Sequence, residues 1–202
     1  MICMEVNCHR RNFVKTAGIT TASVLLGAPV VGGGFFNDLF GIYSENKVKG
    51  IPDDWVKHAG LSVYQYGNYI LGLKLNHITP RMVMEPHFKS RRGTYNSLPP
   101  TKLWKKIGPT LKVIDKLCDE IGLPVKEIVS AYRSPEYNKA VRGKSRSYHM
   151  SNQALDVTFC KTSPWRVAHV ARQLRADKVF KGGIGRYSGF VHIDTRGFNV
   201  DW

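Results

Sequence analysis

Apolar residues recur at steps of three and four along residues 101–121, and this period predicts an amphipathic helix. Its apolar positions are Leu103, Trp104, Ile107, Leu111, Ile114, Leu117 and Ile121. Gly122 is placed to end the helix, and Pro109 is expected to bend it or divide it in two. Two more helices are predicted after Ser-Pro pairs, which favour helix starts, over residues 136–143 and about 165–177.

Shorter apolar runs bounded by turn residues predict strands. We expect one strand within residues 123–130, a second over 154–159 and a third over 190–194. Three glycines within residues 182–185 predict a tight turn that leads into the third strand.

The region before residue 101 carries weaker signals. Acidic residues within 51–55 predict a helix start, because carboxylates are favourable in a first turn. Residues 61–78 alternate well enough for a hairpin that turns at Gly67 and Asn68, and the proline-rich residues 79–100 predict an irregular arm. Together the patterns predict a small α+β domain, with an antiparallel sheet and flanking helices.

The N-terminus has the features of an export signal. Arg10 and Arg11 precede residues 16–31, which are apolar or small and carry no charge. The paired arginines, followed by Phe13 and Lys15, resemble the twin-arginine consensus of proteins that are exported already folded. An amphipathic helix or an uncleaved anchor is the alternative.

This assignment divides the chain into three parts. Residues 1–34 are predicted to be the twin-arginine-like signal segment, 35–100 a linker and N-terminal extension, and 101–202 the functional domain. The protein is then expected in the periplasm or cell envelope, with the twin-arginine export machinery as a partner and the signal segment as its only membrane contact. The sequence leaves the oligomeric state open.

The charge composition predicts an anionic partner. Thirty Lys and Arg residues against fifteen Asp and Glu give a formal net charge of +15, spread through the chain. Such a balance favours a cell-wall polymer, a membrane surface or a nucleic acid. Nucleic acid is not expected, because basic and aromatic residues do not interleave and the export signal argues against it.

The cysteines outside the leader are Cys118 and Cys160. They could pair in an oxidising compartment, but two buried thiols are favoured, because folding before export would already fix their geometry. No pair has the C-x-x-C spacing of a structural zinc site.

Candidate chemistry is concentrated in two segments. His149 and Asp156 are separated by a turn-like Met-Ser-Asn-Gln stretch, and His192 lies on the third predicted strand, two residues before Asp194. Two imidazoles and a carboxylate can converge on one metal ion. Three protein ligands with one open position are typical of a catalytic zinc site.

The same segments resemble the zinc D-Ala-D-Ala carboxypeptidases and their peptidoglycan-endopeptidase relatives, a family that shares its fold with the hedgehog signalling domain. The resembling motifs are Tyr132-Arg-Ser-Pro135, Ser147-Tyr-His-Met-Ser-Asn-Gln-Ala-Leu-Asp156, and Gly182-Gly-Ile-Gly185 ahead of Phe190-Val-His-Ile-Asp194. The similarity covers roughly residues 103–197. The family's S-x-H-x-x-G-x-A-x-D pattern departs at one position, where Asn152 replaces glycine, and asparagine best substitutes for glycine in a left-handed conformation.

The resemblance implies that His149, Asp156 and His192 hold Zn²⁺, and that Arg133 binds the terminal carboxylate of the substrate. A guanidinium suits that bidentate task, although an ion pair with a carboxylate such as Glu136 is the structural alternative for Arg133.

The general base is harder to assign. Many relatives supply an acid three residues before the last histidine, where this chain has Gly189. Asp194 is the nearest substitute, because residues two apart on a strand share a face, but it could equally orient His192. Ser147 and Tyr187 are candidate oxyanion donors.

The resulting hypothesis is an exported zinc metallopeptidase that hydrolyses peptidoglycan stem peptides, of the carboxypeptidase or endopeptidase type. The alternative is a non-catalytic, zinc-containing cell-wall-binding module of the same fold, a reading kept open by the missing acid at Gly189.

Overall fold

The fold is organised around a five-stranded sheet. The computed structural model describes Val48 and residues 50–202. Its strands are β1 (Ser90–Arg91), β2 (Thr94–Tyr95), β3 (Val125–Ser130), β4 (Ala154–Phe159), β5 (Gly183–Arg186), β6 (Val191–Asp194) and β7 (Val200–Asp201). Strands β1 and β2 form a separate hairpin, and the main sheet has the order β3-β4-β6-β5-β7. All its pairs are antiparallel except β5 and β7, so the mixed α+β fold with a small, mainly antiparallel sheet is confirmed.

Six α-helices surround this sheet in the described residues. They are α1 (Asp53–Ala59), α2 (Ser62–Gly72), α3 (Pro80–Met84), α4 (Trp104–Ile121), α5 (Pro135–Ala140) and α6 (Pro164–Ala176). Short 3₁₀ turns follow α3 at Glu85–Phe88 and precede α4 at Thr101–Leu103. None of the helices in this part of the chain combines the length and apolarity that a membrane crossing would require.

The long helix α4 supplies much of the core. Its apolar face, including Leu111, Ile114 and Leu117, is fully buried. The helix contacts α2, α6 and the sheet. Truncation of one such leucine to alanine typically costs about 2–5 kcal/mol. Gly122 ends the helix in the left-handed conformation, as predicted, with φ of 70°.

Pro109 lies within α4 without dividing it. Its ring removes one backbone donor, but the residue is exposed and only five positions after the start of the helix. A lost bond there leaves a carbonyl that water can reach.

The predicted hairpin over 61–78 is wrong, because this stretch contains helix α2. Its buried side chains Val63, Tyr66 and Ile70 follow the helical period, and the alternation of the other apolar residues is incidental. Gly67, the expected turn residue, lies inside the helix. A Cβ there would approach the Val48 side chain to 2.7 Å, so glycine allows a close contact.

The arm over residues 79–100 is more ordered than predicted, since it contains α3, a 3₁₀ turn and the β1–β2 hairpin. Thr79 caps α3 by accepting a hydrogen bond from the Met82 amide at 3.3 Å. Asn96 then joins the arm to the loop after β3. Its side-chain amide donates to the Tyr132 carbonyl at 2.8 Å, and its oxygen accepts from the Ser134 amide at 3.0 Å.

Residues 182–185 were expected to form a tight turn, and this prediction is also wrong. They enter β5, which pairs with β6 on one side and β7 on the other. A Cβ at Gly183 would lie 2.6 Å from the Asp194 carboxylate. The glycines therefore permit close packing between strands. A local sequence pattern cannot distinguish glycines that allow such packing from glycines that form a turn.

The predicted signal segment 1–34, and residues 35–47 and 49 of the predicted linker, lie outside the described residues. No disulfide joins Cys118 and Cys160. Cys118 is buried, and burial raises the pKa of its thiol to about 12. Cys160 is half-buried.

Candidate metal centre

Strand register places two of the predicted ligands face to face. Asp156 on β4 and His192 on β6 are direct partners in the antiparallel ladder. Side chains at such positions lie on the same face of a sheet, with Cβ atoms about 4.5–5.5 Å apart. The His192 Nδ1 atom consequently lies 2.8 Å from Asp156 Oδ1.

The third predicted ligand comes from the turn before β4. The turn is closed by backbone bonds from the Met150 amide to the Ser147 carbonyl and from the Asn152 amide to the His149 carbonyl. His149 Nδ1 lies 2.7 Å from the Ala131 carbonyl. Because a carbonyl can only accept, Nδ1 carries the proton and the lone pair of Nε2 points into the site.

Three acceptor atoms then converge on one point. His149 Nε2 lies 3.2 Å from Asp156 Oδ1 and 3.2 Å from His192 Nδ1. A tetrahedral metal with ligand bonds of about 2.0–2.1 Å separates its ligand atoms by about 3.3 Å, close to these distances. The three residues, all buried, could therefore hold a metal ion.

Arg133 holds the other oxygen of Asp156. Its Nη2 donates to Asp156 Oδ2 at 2.7 Å, and its Nε donates to Ser130 Oγ at 2.7 Å. The ion pair predicted as the structural alternative for Arg133 thus exists, but its partner is Asp156 and not Glu136. The guanidinium keeps Oδ1 directed at the histidines and retains further donors of its own.

Asp194 lies on the far side of the His192 ring. Its Oδ2 is 2.9 Å from His192 Nε2, whereas Nδ1 faces Asp156. The fully buried carboxylate also accepts from the Gly183 amide at 3.0 Å and from Arg196 Nε at 2.8 Å. A second Arg196 contact, from Nη2 to Oδ2, measures 2.5 Å. This geometry favours the orienting role of Asp194, and its role as general base stays a prediction.

The charges of the site stabilise a cation between the rings. Burial lowers the pKa of His149, and the nearby Asp156 opposes only part of that effect. Burial would raise the pKa of Asp156, but the two histidines outweigh it and hold the pKa below its ordinary value. For His192, hydrogen bonds to both carboxylates outweigh burial and raise the pKa. The site therefore favours a positive charge beside His192 Nδ1, which a proton or a metal ion can supply.

A comparison with known protein families agrees with this geometry. The Peptidase M15 model matches residues 82–194, more than half of the chain. The chain belongs to the Peptidase M15 family. No curated protein and no solved structure gives a significant match. Membership supports a hydrolytic peptidase function in general, and the resemblance inferred from the sequence motifs is confirmed.

The residues matched by the M15 family model include all three residues of the candidate metal centre. It also includes Asn152, which stands where the family pattern has glycine. Asn152 has φ of 54°, the left-handed conformation expected for it. Its side-chain amide donates to the Leu103 carbonyl at 3.1 Å, an anchor that glycine could not provide.

Gly189, Ser147 and two further histidines, His77 and His87, are not members of the metal-binding group in the described residues. A Cβ built at Gly189 would meet no atom within 4 Å, so no neighbouring side chain in the described part of the chain fills the space next to this position, where many relatives have an acid. Ser147 accepts from the His149 amide at 3.4 Å. His77 pairs with Asp119 at 2.8 Å near the surface, and neither His77 nor the buried His87 belongs to the metal-binding group among the described residues.

Sequence reasoning missed three residues next to the centre of this M15 protein. Arg196 binds Asp194, its guanidinium lies 4.2 Å from the Tyr148 ring centroid, and Trp202 lies 5.1 Å from the His192 ring. Arg196 follows Asp194 at a spacing of two residues, which was a usable signal for a shared face. The position of Trp202 depends on the β5–β7 pairing and had no local signal.

Proposed function

We propose that this protein is an exported zinc metallopeptidase that hydrolyses peptidoglycan stem peptides, of the carboxypeptidase or endopeptidase type. One observation carries the proposal: two imidazole nitrogens and a carboxylate oxygen converge within a shared coordination distance in an M15 chain. This N₂O donor set suits zinc in a catalytic site, where three protein ligands leave one position open.

Each ligand is held by a second group that fixes its orientation. His149 donates to the Ala131 carbonyl, Asp156 accepts from Arg133, and His192 faces Asp194 through its outer nitrogen. Such outer contacts fix the tautomer of a histidine and the direction of a carboxylate. When bound, the zinc ion supplies Lewis-acid polarisation of the scissile carbonyl and lowers the pKa of water.

Arg133 is proposed to serve two partners. Nε and Nη2 are engaged by Ser130 and Asp156, and the side chain, at the edge of the site, is 17% exposed, so part of it can be reached from solvent. A substrate carboxylate that approaches this edge would meet N–H donors and a fixed positive charge. Ser147 and Tyr187 remain the candidate oxyanion donors.

The alternative is a zinc-containing module that binds the cell wall without cleaving it. One observation favours it. Within residues 50–202, the carboxylates that contact the two histidines of the candidate metal centre are Asp156 and Asp194. Each of them is already bound by an arginine. Neither carboxylate is free of other partners to accept a proton in the way that a general base must.

The deciding experiment incubates the purified protein with defined muropeptides, with and without a chelator, and identifies products by mass. The proposal expects about one zinc per chain and cleavage that the chelator abolishes. His149→Ala should lose both zinc and cleavage. His169→Ala should lose neither, because His169 lies on the surface against Trp165, with ring centroids 5.5 Å apart.

The outcomes separate the two functions. Zinc and muropeptide binding without any product would establish the binding module. A protein that takes up no zinc and is insensitive to His149→Ala would overturn both readings.

A further inference from the structure

An exposed aromatic side chain lies directly beside the candidate metal centre. The ring of Trp202 is centred 5.1 Å from that of His192, at an angle of 48°. It remains 43% exposed. The M15 match ends at Asp194, so this residue lies beyond the part of the chain that the family model covers.

The position of the indole is fixed by three independent contacts. Its Nε1–H donates to the Tyr187 hydroxyl at 2.9 Å. Its backbone pairs with β5, with the Trp202 amide 3.2 Å from the Ile184 carbonyl. The ring occupies the space that a Cβ of Gly185 would need, at 2.5 Å, and Gly185 is the ladder partner of His192. A large apolar group is therefore held rigidly while much of its surface faces water.

Tyr187 extends the exposed surface, and the half-buried Phe190 supports it. Tyr187 is 42% exposed, and its ring stacks on Phe190 with centroids 4.5 Å apart. We call Trp202, Tyr187 and Phe190 the aromatic wall. The Trp202 N–H is used within the wall, so the indole offers an incoming ligand mainly its ring face. Exposed apolar surface next to a reactive centre commonly marks a ligand-binding groove.

We propose that the aromatic wall is a subsite for a sugar ring of the glycan strand, and that the enzyme prefers stem peptides still attached to their sugars. This inference rests on the proposed function. The side chains of a stem peptide are small or polar, so they cover little of an indole face. A hexosamine ring presents a face of C–H groups about the size of the indole, and covering the indole with such a face removes apolar surface from water on both partners.

The preference is measured with one stem peptide in two forms, linked to its disaccharide and released from it. The wild type should show a kcat/KM for the linked form about tenfold higher, a ratio that corresponds to about 1.4 kcal/mol. Trp202→Ala should bring the ratio of the two kcat/KM values close to one. Trp202→Phe should retain part of the preference, because a ring remains.

Trp165→Ala is the matched control. Trp165 is 61% exposed and lies on α6, where it stacks on His169 and has no part in the metal centre. Its loss should leave the ratio at the wild-type value. Zinc content and the unfolding midpoint of each variant show whether the fold and the metal site are intact. Damage to the metal site would lower both activities together and leave the ratio unchanged.

A second measurement does not depend on catalysis. A soluble N-acetylglucosamine oligomer is titrated into the protein while the indole N–H signals are followed by NMR. The Trp202 signal should shift and the Trp165 signal should not. If the protein cleaves neither peptide, the proposed function fails and the titration still decides the subsite. If the wild type cleaves both forms equally and the Trp202 signal is unmoved, the subsite is refuted and the proposed function stands.

Discussion

At the scale of single residues, the site is built from paired charges. Each of its two carboxylates is bound by one arginine, Asp156 by Arg133 and Asp194 by Arg196. A buried carboxylate without a partner would be expected to take up a proton, because desolvation disfavours its charge. Against this effect of burial, His149 and His192 hold the pKa of Asp156 below its ordinary value, and Arg196 and His192 do so for Asp194. Both groups stay ionised, so Asp156 can serve as an anionic ligand and Asp194 can accept from His192.

Asp194→Asn distinguishes the two roles predicted for this residue. Asparagine keeps an oxygen that can accept from His192 Nε2 but loses the charge. If Asp194 orients His192, zinc affinity should fall by about 10–100-fold, and activity should largely return at saturating zinc. If Asp194 is the general base, kcat should fall by about 10²–10⁴-fold with zinc affinity unchanged. Competition with a chelating dye measures the zinc affinity, and steady-state kinetics at saturating zinc measures kcat. Asp177→Asn, at the exposed end of α6, is the control and should change neither.

Arg133→Lys tests the substrate role of the guanidinium. Lysine keeps the charge but loses the planar fork, so we expect kcat/KM to fall about tenfold for peptides with a free terminal carboxylate. Peptides with an amidated terminus should be affected much less. Equal losses on both substrates, with weaker zinc binding, would show that Arg133 acts only by holding Asp156. Arg166→Lys, an exposed change on α6, should affect neither substrate.

At the scale of elements, the turn between α5 and β4 determines where His149 lies. Asn152 holds this turn through a left-handed backbone and a side-chain bond to the carbonyl before α4. The residue is fully buried. The side-chain amide thus joins the ligand-bearing turn to the start of the long helix, and Thr110 of the helix adds a second link by donating to the Gln153 carbonyl at 2.8 Å.

Asn152→Ala should lower the free energy of unfolding by about 2 kcal/mol. About 1 kcal/mol comes from the left-handed conformation, and the rest from the lost hydrogen bond. Asn152→Gly should cost only about 1 kcal/mol, because glycine accepts the conformation. Arg142 is the control position, because it is exposed and has φ of 57°. The difference in unfolding free energy between Arg142→Asn and Arg142→Ala isolates the backbone cost of replacing asparagine by alanine in the left-handed region. Urea unfolding measures all four variants. A cost for Asn152→Ala no larger than this difference would contradict a stabilising role of the side chain.

At the scale of the whole molecule, the described residues before α4 share one core with the sheet. Val63, Tyr66 and Ile70 of α2 belong to the same buried cluster as Leu155 and Ile193. His87 is buried in this region, with its ring 5.8 Å from that of Tyr66 and 6.4 Å from that of Tyr132. Burial lowers its pKa to about 3, and a backbone contact at Met84 offsets only part of the effect.

This histidine makes the stability of the protein depend on pH. The unfolded chain binds a proton at His87 below about pH 6.5, whereas the folded chain does so only near pH 3, so acidification favours unfolding across this interval. The contribution of neutral His87 to the free energy of unfolding is fully present above about pH 6.5. Below that pH it is lost at up to about 1.4 kcal/mol per pH unit. Between pH 7 and pH 5, His87 should account for a loss of about 2 kcal/mol.

His87→Phe should remove this part of the pH dependence. We expect the difference in unfolding free energy between pH 7 and pH 5 to shrink by about 2 kcal/mol relative to the wild type. Urea unfolding at pH 7 and pH 5 gives this difference for the wild type and for the variant. Because the two differences are compared, any change in packing that is the same at both pH values cancels. His169→Phe, at a surface position, should keep the wild-type slope. An unchanged slope in His87→Phe would show that His87 titrates normally in the folded protein.

The amino-acid sequence alone determined the α+β class, the long helix α4 with its glycine end, strand β4 and the identity of the three converging residues. These features are local: helical and strand periods, Ser-Pro starts and short motifs require no knowledge of distant contacts. The left-handed conformation of Asn152 was predictable for the same reason.

Only the tertiary structure decided which partners surround those residues. Helix α2 was misread as a hairpin because short apolar runs fit both periods, and only the core shows that Val63, Tyr66 and Ile70 form one buried helical face. The glycines of β5 were misread as a turn, because they leave space for Asp194 of β6 and for Trp202, which follows β7. The placement of Asp194 behind His192, and of Trp202 beside it, follows from strand pairing between distant segments. No local pattern encodes such pairing, since it is the sheet as a whole that fixes the register.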